Sequence, residues 1–158
     1  PLLIILLIGF LLLVFFQDLK IRRIHIALPL AIFCMSIYLT LTMVKTSTTV
    51  LTNSSLFLLI FVTMVGYMSI KKKRFDNPFN AYFGLGDFLY FISISPLFLS
   101  VNYLVFFIAS LVFSMLMYIF FIQKGEEESI PLAGLSSLLL SLVVISDVLF
   151  GLKKITLL

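Results

Sequence analysis

A succession of long apolar runs, separated by short charged segments, constrains this chain more than any other feature. The runs cover Pro1–Gln17, Ile26–Val44, Ser55–Ile70, Ala81–Ser100, Tyr103–Ile122 and a last run that begins near Ser129. A helix that crosses a bilayer needs roughly 17–25 predominantly apolar residues. The chain is 62% hydrophobic and 11% charged, whereas soluble domains carry about 25% charged residues. We therefore expect an all-α membrane protein, a polytopic bundle of six transmembrane helices.

The short connections leave little room for a soluble domain. Spans of about 20 residues use most of the chain, so we expect residues 1–158 to form a single membrane-embedded domain. The first residue is Pro1 and not Met, and we expect N-terminal residues to be missing. The net charge of +4 is spread over the loops, which indicates topology and not nucleic-acid binding. The single cysteine, Cys34, excludes an internal disulfide and a multi-cysteine metal site.

The distribution of cations between alternate loops predicts the orientation of the bundle. One set of loops carries Lys20, Arg22, Arg23, Lys71, Lys72, Lys73, Arg74 and Lys124, and the other carries Lys45, Lys153 and Lys154. The positive-inside rule places the first set in the cytoplasm. Asp18 and Asp87 then lie at the cytoplasmic ends of the first and fourth predicted helices.

Asp87 is an acid inside an apolar run. If a helix starts at Ala81, Asp87 lies roughly 9 Å below the entry point. A carboxylate at such a depth costs about 2.5–3.5 kcal/mol on insertion scales and normally faces protein or a water-filled cavity. Gly84 and Gly86 precede it and permit close approach of another backbone. The alternative is that Asp87 merely N-caps a helix that begins at Phe88.

Two aspartates at matched depth on different helices can form a catalytic pair. Like charges a few ångströms apart do not both ionise, so the pair shares a proton. The ionised member can activate water while the protonated member polarises a peptide carbonyl. The serines lack a positioned base, because the only histidine is His25. We interpret His25 as an interfacial loop residue, with contact to the site as the alternative.

Four other features are interpreted without a catalytic role. Cys34 is expected to face lipid or the core, and Asp147 to lie at the interface near the outer end of the sixth span. The Glu126–Glu128 run is interpreted as a solvated loop, with attraction of basic substrate segments as the alternative. We interpret Lys71–Arg74 as a topology anchor that touches anionic headgroups.

Three segments resemble the motifs of the prepilin peptidases, also called type IV leader peptidases. Asp18-Leu-Lys-Ile-Arg-Arg-Ile24-His25 resembles their first motif, an Asp followed by basic residues and then Ile-Pro. Gly84-Leu-Gly-Asp87 matches the GxGD that names this class of intramembrane aspartic proteases, and Ile130-Pro131-Leu-Ala-Gly134 resembles the Ile-Pro-x-Gly opening of their last helix. The resemblance extends from residue 15 to about residue 145.

The resemblance implies an aspartic endopeptidase that cleaves the cytoplasmic leader from type IV prepilin-like proteins. Asp18 and Asp87 would be catalytic, and Gly84 and Gly86 would let the substrate strand approach. No metal or organic cofactor is implied. The partner would be a membrane-embedded precursor, and the enzyme would lie in the inner (plasma) membrane with its site on the cytoplasmic side.

The chain also departs from the pattern of the family. Leu89 stands where many members have Lys, and His25 stands where Pro is common. The sequence has no paired cysteines of the zinc-binding methyltransferase region, so it resembles the short, peptidase-only type. The alternatives are a small transporter or channel-like protein, whose intramembrane acids bind protons or cations, and an inactive scaffold of a pilus or secretion system.

Overall fold

The predicted helices are present in the structure, a computed structural model that describes residues 2–21, 23–43, 48–72, 84–122 and 130–150. The helices are α1 (Leu2–Ile21), α2 (Ala27–Met43), α3 (Thr48–Lys72), α4 (Leu85–Ile94), α5 (Ser100–Met117) and α6 (Leu132–Phe150). A 3-10 turn, Ser95–Leu97, follows α4, and a π-helical turn, Tyr118–Ile122, extends α5. The described residues are almost entirely helical, which confirms the all-α class.

Four helices are long and apolar enough to cross a membrane. They are α1, the segment Val50–Tyr67 of α3, Ser100–Phe120 of α5 with its extension, and Leu132–Leu149 of α6. This composition supports a membrane protein. The helices α2 and α4 are shorter, and α4 with its 3-10 turn is about 20 Å long, against a hydrocarbon core of about 30 Å. Six crossings therefore stay a prediction.

Helix α6 lies at the centre of the bundle. Half of its apolar span is buried, compared with 22% for α1 and 28% for α5. It packs along both of these helices and also touches α4. On the other side, Phe57 of α3, Phe91 of α4 and Phe107 of α5 pack with ring centroids 4.9–5.9 Å apart. Because α6 packs on both α1 and α4, residues of these two helices can reach its start, where the candidate site lies.

The boundary between the predicted fourth and fifth spans is wrong. The predicted runs Ala81–Ser100 and Tyr103–Ile122 place the connection at Asn102, but this residue lies in the first turn of α5. The chain instead leaves the α-helical path at Ser95 and reverses through Phe98 and Leu99, which both have extended backbone. Pro96 explains the early end, because its ring clashes with the preceding turn and it has no N–H to donate. Pro96 therefore ends α4 inside the predicted run Ala81–Ser100.

Side chains of α2 and α3 satisfy the carbonyl groups that this break exposes. Asn53 Nδ2 lies 2.8 Å from the carbonyl oxygen of Ser95 and 2.6 Å from that of Phe98. The hydroxyl of Thr40 lies 2.7 Å from the carbonyl oxygen of Pro96. Non-helical backbone at membrane depth is tolerated only where protein or water satisfies it. These hydrogen bonds therefore hold the C-terminal end of α4, whereas Asp87 lies near its N-terminal end.

We expect Asn53→Leu to destabilise the bundle. The substitution leaves two buried carbonyl groups without this donor, and each unsatisfied group costs about 1–3 kcal/mol. Denaturant titration of the purified protein in mild detergent measures the free energy of unfolding. Thr63→Val is the matched control, because the exposed Thr63 hydroxyl on the same helix donates only within its own turn, to Ile60. Equal stability of the two variants would contradict this role of Asn53.

Candidate active site

Asp18 continues the buried stripe of α1. Leu7, Leu11, Val14 and Asp18 recur at intervals of three and four residues, so they share one face of the helix, and all four are buried. This face packs on α6. Oδ2 of Asp18 accepts a 2.7 Å hydrogen bond from the backbone N–H of Gly134. The helical period of α1 therefore places this carboxyl group against the start of α6.

Asp87 reaches the same place from α4. The helix begins at Leu85 with Gly84 as the N-cap, so Asp87 is its third residue. Oδ1 of Asp87 accepts a 2.8 Å hydrogen bond from the backbone N–H of Ala133. The backbone N–H of Gly84 also donates to this carboxyl group. The alternative in which Asp87 N-caps a helix starting at Phe88 is wrong, because the helix starts three residues earlier.

Consecutive backbone amides therefore hold the two aspartates. The first N–H groups of an α-helix have no partner within the helix, and the positive end of the helix dipole favours negative charge there. Neighbouring Cα atoms are about 3.8 Å apart, so two hydrogen bonds of 2.8 and 2.7 Å bring the accepting oxygens within roughly 9 Å of each other. The structure thus brings Asp18 and Asp87 together at one site.

Gly134 is required for this approach. A Cβ atom at position 134 would lie 2.9 Å from Cβ of Asp18 and 3.0 Å from its Oδ2, which is closer than real side chains pack. Gly134 was recognised from the sequence only as part of a motif, and neither it nor Ala133 was predicted to belong to the site. The sequence indicated this role only weakly, because almost every residue type has a backbone N–H and the residue type does not show which one acts as a donor to the site. The useful clue was a glycine three residues after Pro131.

Gly84 and Gly86 have contacts within the protein itself. A Cβ atom at Gly84 would lie 2.9 Å from Oδ2 of Asp87, and one at Gly86 would lie 3.2 Å from Cβ and Cδ1 of Ile24. Both glycines therefore make room for neighbouring side chains around Asp87. Their predicted role in the approach of a substrate strand stays a prediction.

His25 makes no hydrogen bond to Asp18 or Asp87 among the bonds that the structure describes. It is exposed and lies in the non-helical segment before α2, in agreement with its interpretation as a loop residue. Its Nδ1 accepts a 3.4 Å hydrogen bond from the N–H of Ala27, and its own N–H donates to Oε1 of Gln17 over 3.3 Å. His25 therefore ties the start of α2 to the end of α1.

Asp147 differs from its prediction. It was expected at the interface, but only 2% of its surface is exposed, so it lies inside the protein. It is 13 residues from Gly134 on α6, or about 20 Å along the helix axis. It therefore does not join Asp18 and Asp87. Cys34 is exposed on α2, and Leu89 is half-buried on α4.

Some predicted features lie outside the described residues. They are the start of the last run near Ser129, the Glu126–Glu128 run, Lys73 and Arg74 of the basic segment, and the start of the fourth span at Ala81. Among the residues that are described, no group of three or more His, Cys, Asp or Glu side chains could hold a metal ion.

Comparisons with protein families, with characterised proteins and with solved structures find no match for this chain. Membership of the peptidase family therefore stays a proposal that rests on the motifs and on the geometry of the two aspartates.

Paired cysteines test that geometry without requiring activity. In a Cys34→Ser background, we expect Asp18→Cys and Asp87→Cys to be joined by a thiol crosslinker of about 9 Å, the upper separation of the carboxyl oxygens. A direct disulfide requires Cα atoms within about 7 Å. The control pairs Asp18→Cys with Asp147→Cys, a buried position about 20 Å away along α6. Equal crosslinking of both pairs, or none at 18 and 87, would contradict a shared site.

Proposed function

We propose that the chain is an intramembrane aspartic endopeptidase of the prepilin peptidase type. One observation carries the proposal: Asp18 and Asp87, from helices that are distant in sequence, accept hydrogen bonds from consecutive amides of α6. A residue that merely caps its own helix does not require a second buried acid beside it. Packing a half-buried carboxyl group against a buried one is costly, and such arrangements occur at sites of acid–base chemistry.

The arrangement supports hydrolysis of a peptide bond by water. One aspartate is ionised and takes a proton from water as the water oxygen attacks the carbonyl carbon. The other is protonated and donates to the carbonyl oxygen, as in the aspartic proteases, where two carboxyl groups share one proton. The C–N bond then breaks and the leaving amine takes up a proton. The amides of Ala133 and Gly134 position the carboxyl groups, and the reaction requires no metal or organic cofactor.

The proposed substrate is a membrane-embedded prepilin-like precursor with a short basic leader. The distribution of cations favours a cytoplasmic position for the end of α1 that carries Asp18 and Lys20. The site then lies where the leader of such a precursor meets its hydrophobic segment. The enzyme would reside in the inner (plasma) membrane and would meet its substrate within the bilayer.

Cleavage in a purified system tests this function. The purified chain and a pilin-like precursor are placed in the same vesicles with S-adenosylmethionine, and mass spectrometry follows the precursor. We expect removal of the leader just before the hydrophobic segment and a product whose new N-terminus carries no methyl group. No cleavage above that in protein-free vesicles would contradict the peptidase. A methylated product would contradict the peptidase-only type.

A transporter is the second candidate, and the burial of Asp147 is the observation that favours it. Intramembrane acids that face a bundle interior mark proton or ion pathways in many transporters. The convergence of the other two acids at a single helix end favours the peptidase. Vesicles loaded with a pH-sensitive dye separate the two functions: proton flux that Asp147→Asn abolishes, without precursor cleavage, would support transport.

A further inference from the structure

An open groove of about 520 Å³ lies between the second half of α1 and the start of α2. Its apolar walls include Leu13, Phe16, Ile21 and Leu28, and its polar end includes Lys20 and His25. Phe16 is 64% exposed. The groove is separate from the candidate active site, because Asp18 points from another face of α1 towards α6.

The groove is apolar at depth and cationic near the membrane surface. Leu13 and Lys20 are seven residues apart on α1, which is about 10 Å along the helix axis. None of the described residues that line the groove is acidic. His25 accepts the Ala27 N–H at Nδ1, so Nε2 carries the ring proton and can donate a hydrogen bond. The shallow end therefore offers one positive charge and one donor.

We propose that this groove binds an anionic phospholipid. One acyl chain lies along Leu13 and Phe16, and the phosphate group meets Lys20 and His25. The predicted orientation puts Lys20 on the cytoplasmic face, where anionic lipids attract cations at the membrane surface. A substrate with a basic leader fits the groove poorly, because the charge of Lys20 repels it. The site does not depend on peptidase activity.

A single tryptophan can report the occupant, because the chain contains none. Phe16→Trp places it in the groove, and the full chain is reconstituted into phosphatidylcholine vesicles. Phosphatidylglycerol or further phosphatidylcholine with brominated acyl chains is then added as quencher. We expect phosphatidylglycerol to quench at lower mole fraction. Val112→Trp, a 54% exposed position on α5, reports bulk lipid and should show no preference.

The charge of Lys20 should account for most of the preference. A basic residue near the surface strengthens anionic lipid binding about fivefold, so Lys20→Gln should weaken the apparent affinity by about that factor. Lys71→Gln removes an exposed cation from the end of α3, none of whose described residues lines the groove, so quenching of the groove tryptophan should stay unchanged. Lipid retained by the unsubstituted chain in native mass spectrometry gives a readout without the tryptophan.

Three outcomes would overturn the proposal. Equal quenching by both brominated lipids would show that ordinary bulk lipid fills the groove. Protection of the tryptophan from both lipids would show that protein covers it, such as a second copy of the chain. A preference that survives Lys20→Gln would show that this cation does not hold the headgroup.

Discussion

Asp87→Asn or Asp18→Asn should lower the rate of precursor cleavage by about 100-fold or more, while membrane insertion stays intact. General acid–base catalysis contributes roughly 10²–10⁴-fold, and asparagine keeps the shape of the side chain while losing the ability to exchange a proton. The amide oxygen of asparagine can still accept the N–H of Ala133 or Gly134. The effect should therefore be chemical and not structural. Cleavage of the precursor in vesicles gives the rate, and protease protection gives the insertion.

Asp147→Asn is the matched control for both substitutions. Asp147 is buried, as Asp18 is, and lies on the helix that holds the two aspartates, but about 20 Å from Gly134. Its substitution removes a buried carboxyl group without touching the site, so cleavage should stay within a few-fold of the natural chain. Near-normal processing by either Asp18→Asn or Asp87→Asn would rule out the catalytic pair.

Gly134→Ala should also lower cleavage by about 100-fold. The added Cβ atom would lie 2.9 Å from Cβ of Asp18, so the carboxyl group or the start of α6 must move. Misplacement of a catalytic group by about 1 Å can cost 100-fold in rate. Alanine favours helices more than glycine does, so the helix itself is not weakened. A loss of activity without a loss of stability would indicate displacement of Asp18.

Gly9→Ala makes the same chemical change on the helix that carries Asp18. A Cβ atom at Gly9 meets nothing within 4 Å, so we expect unchanged cleavage and unchanged or slightly higher stability. Crosslinking between cysteines at positions 18 and 87 should fall in the Gly134→Ala background and persist in the Gly9→Ala background. Full activity of Gly134→Ala would show that the close contact with Asp18 is not needed for the chemistry.

The number, type and approximate position of the helices could be predicted from the sequence. An apolar run of about 20 residues has few stable conformations other than a helix in a membrane, because every backbone polar group must be satisfied within the segment. The two acids were also identifiable, since a charge inside such a run is costly and therefore conspicuous. The free-energy cost of an unsatisfied backbone group, or of a charge within the membrane, was therefore enough to predict both the helices and the two acids.

The end of α4 required the tertiary structure. Pro96 signals an interruption, but a kink and a stop have the same local signal. The decision rests on Asn53 and Thr40, which come from other helices and satisfy the carbonyl groups that a full stop exposes. The burial of Asp147 was missed for the same reason, because side-chain exposure depends on which helices pack around it.

The sequence by itself determined a helical, strongly apolar chain with acids at the ends of two predicted spans. Only the tertiary structure decided that Asp18 and Asp87 meet, and that Ala133 and Gly134 hold them. The physical reason lies in the hydrogen-bond donors. Every residue except proline carries the same backbone N–H, so the role of each N–H depends on which acceptor the tertiary structure places next to it. At the start of α6 those N–H groups lack helical partners, and the packing of α1 and α4 brings a carboxyl group to each.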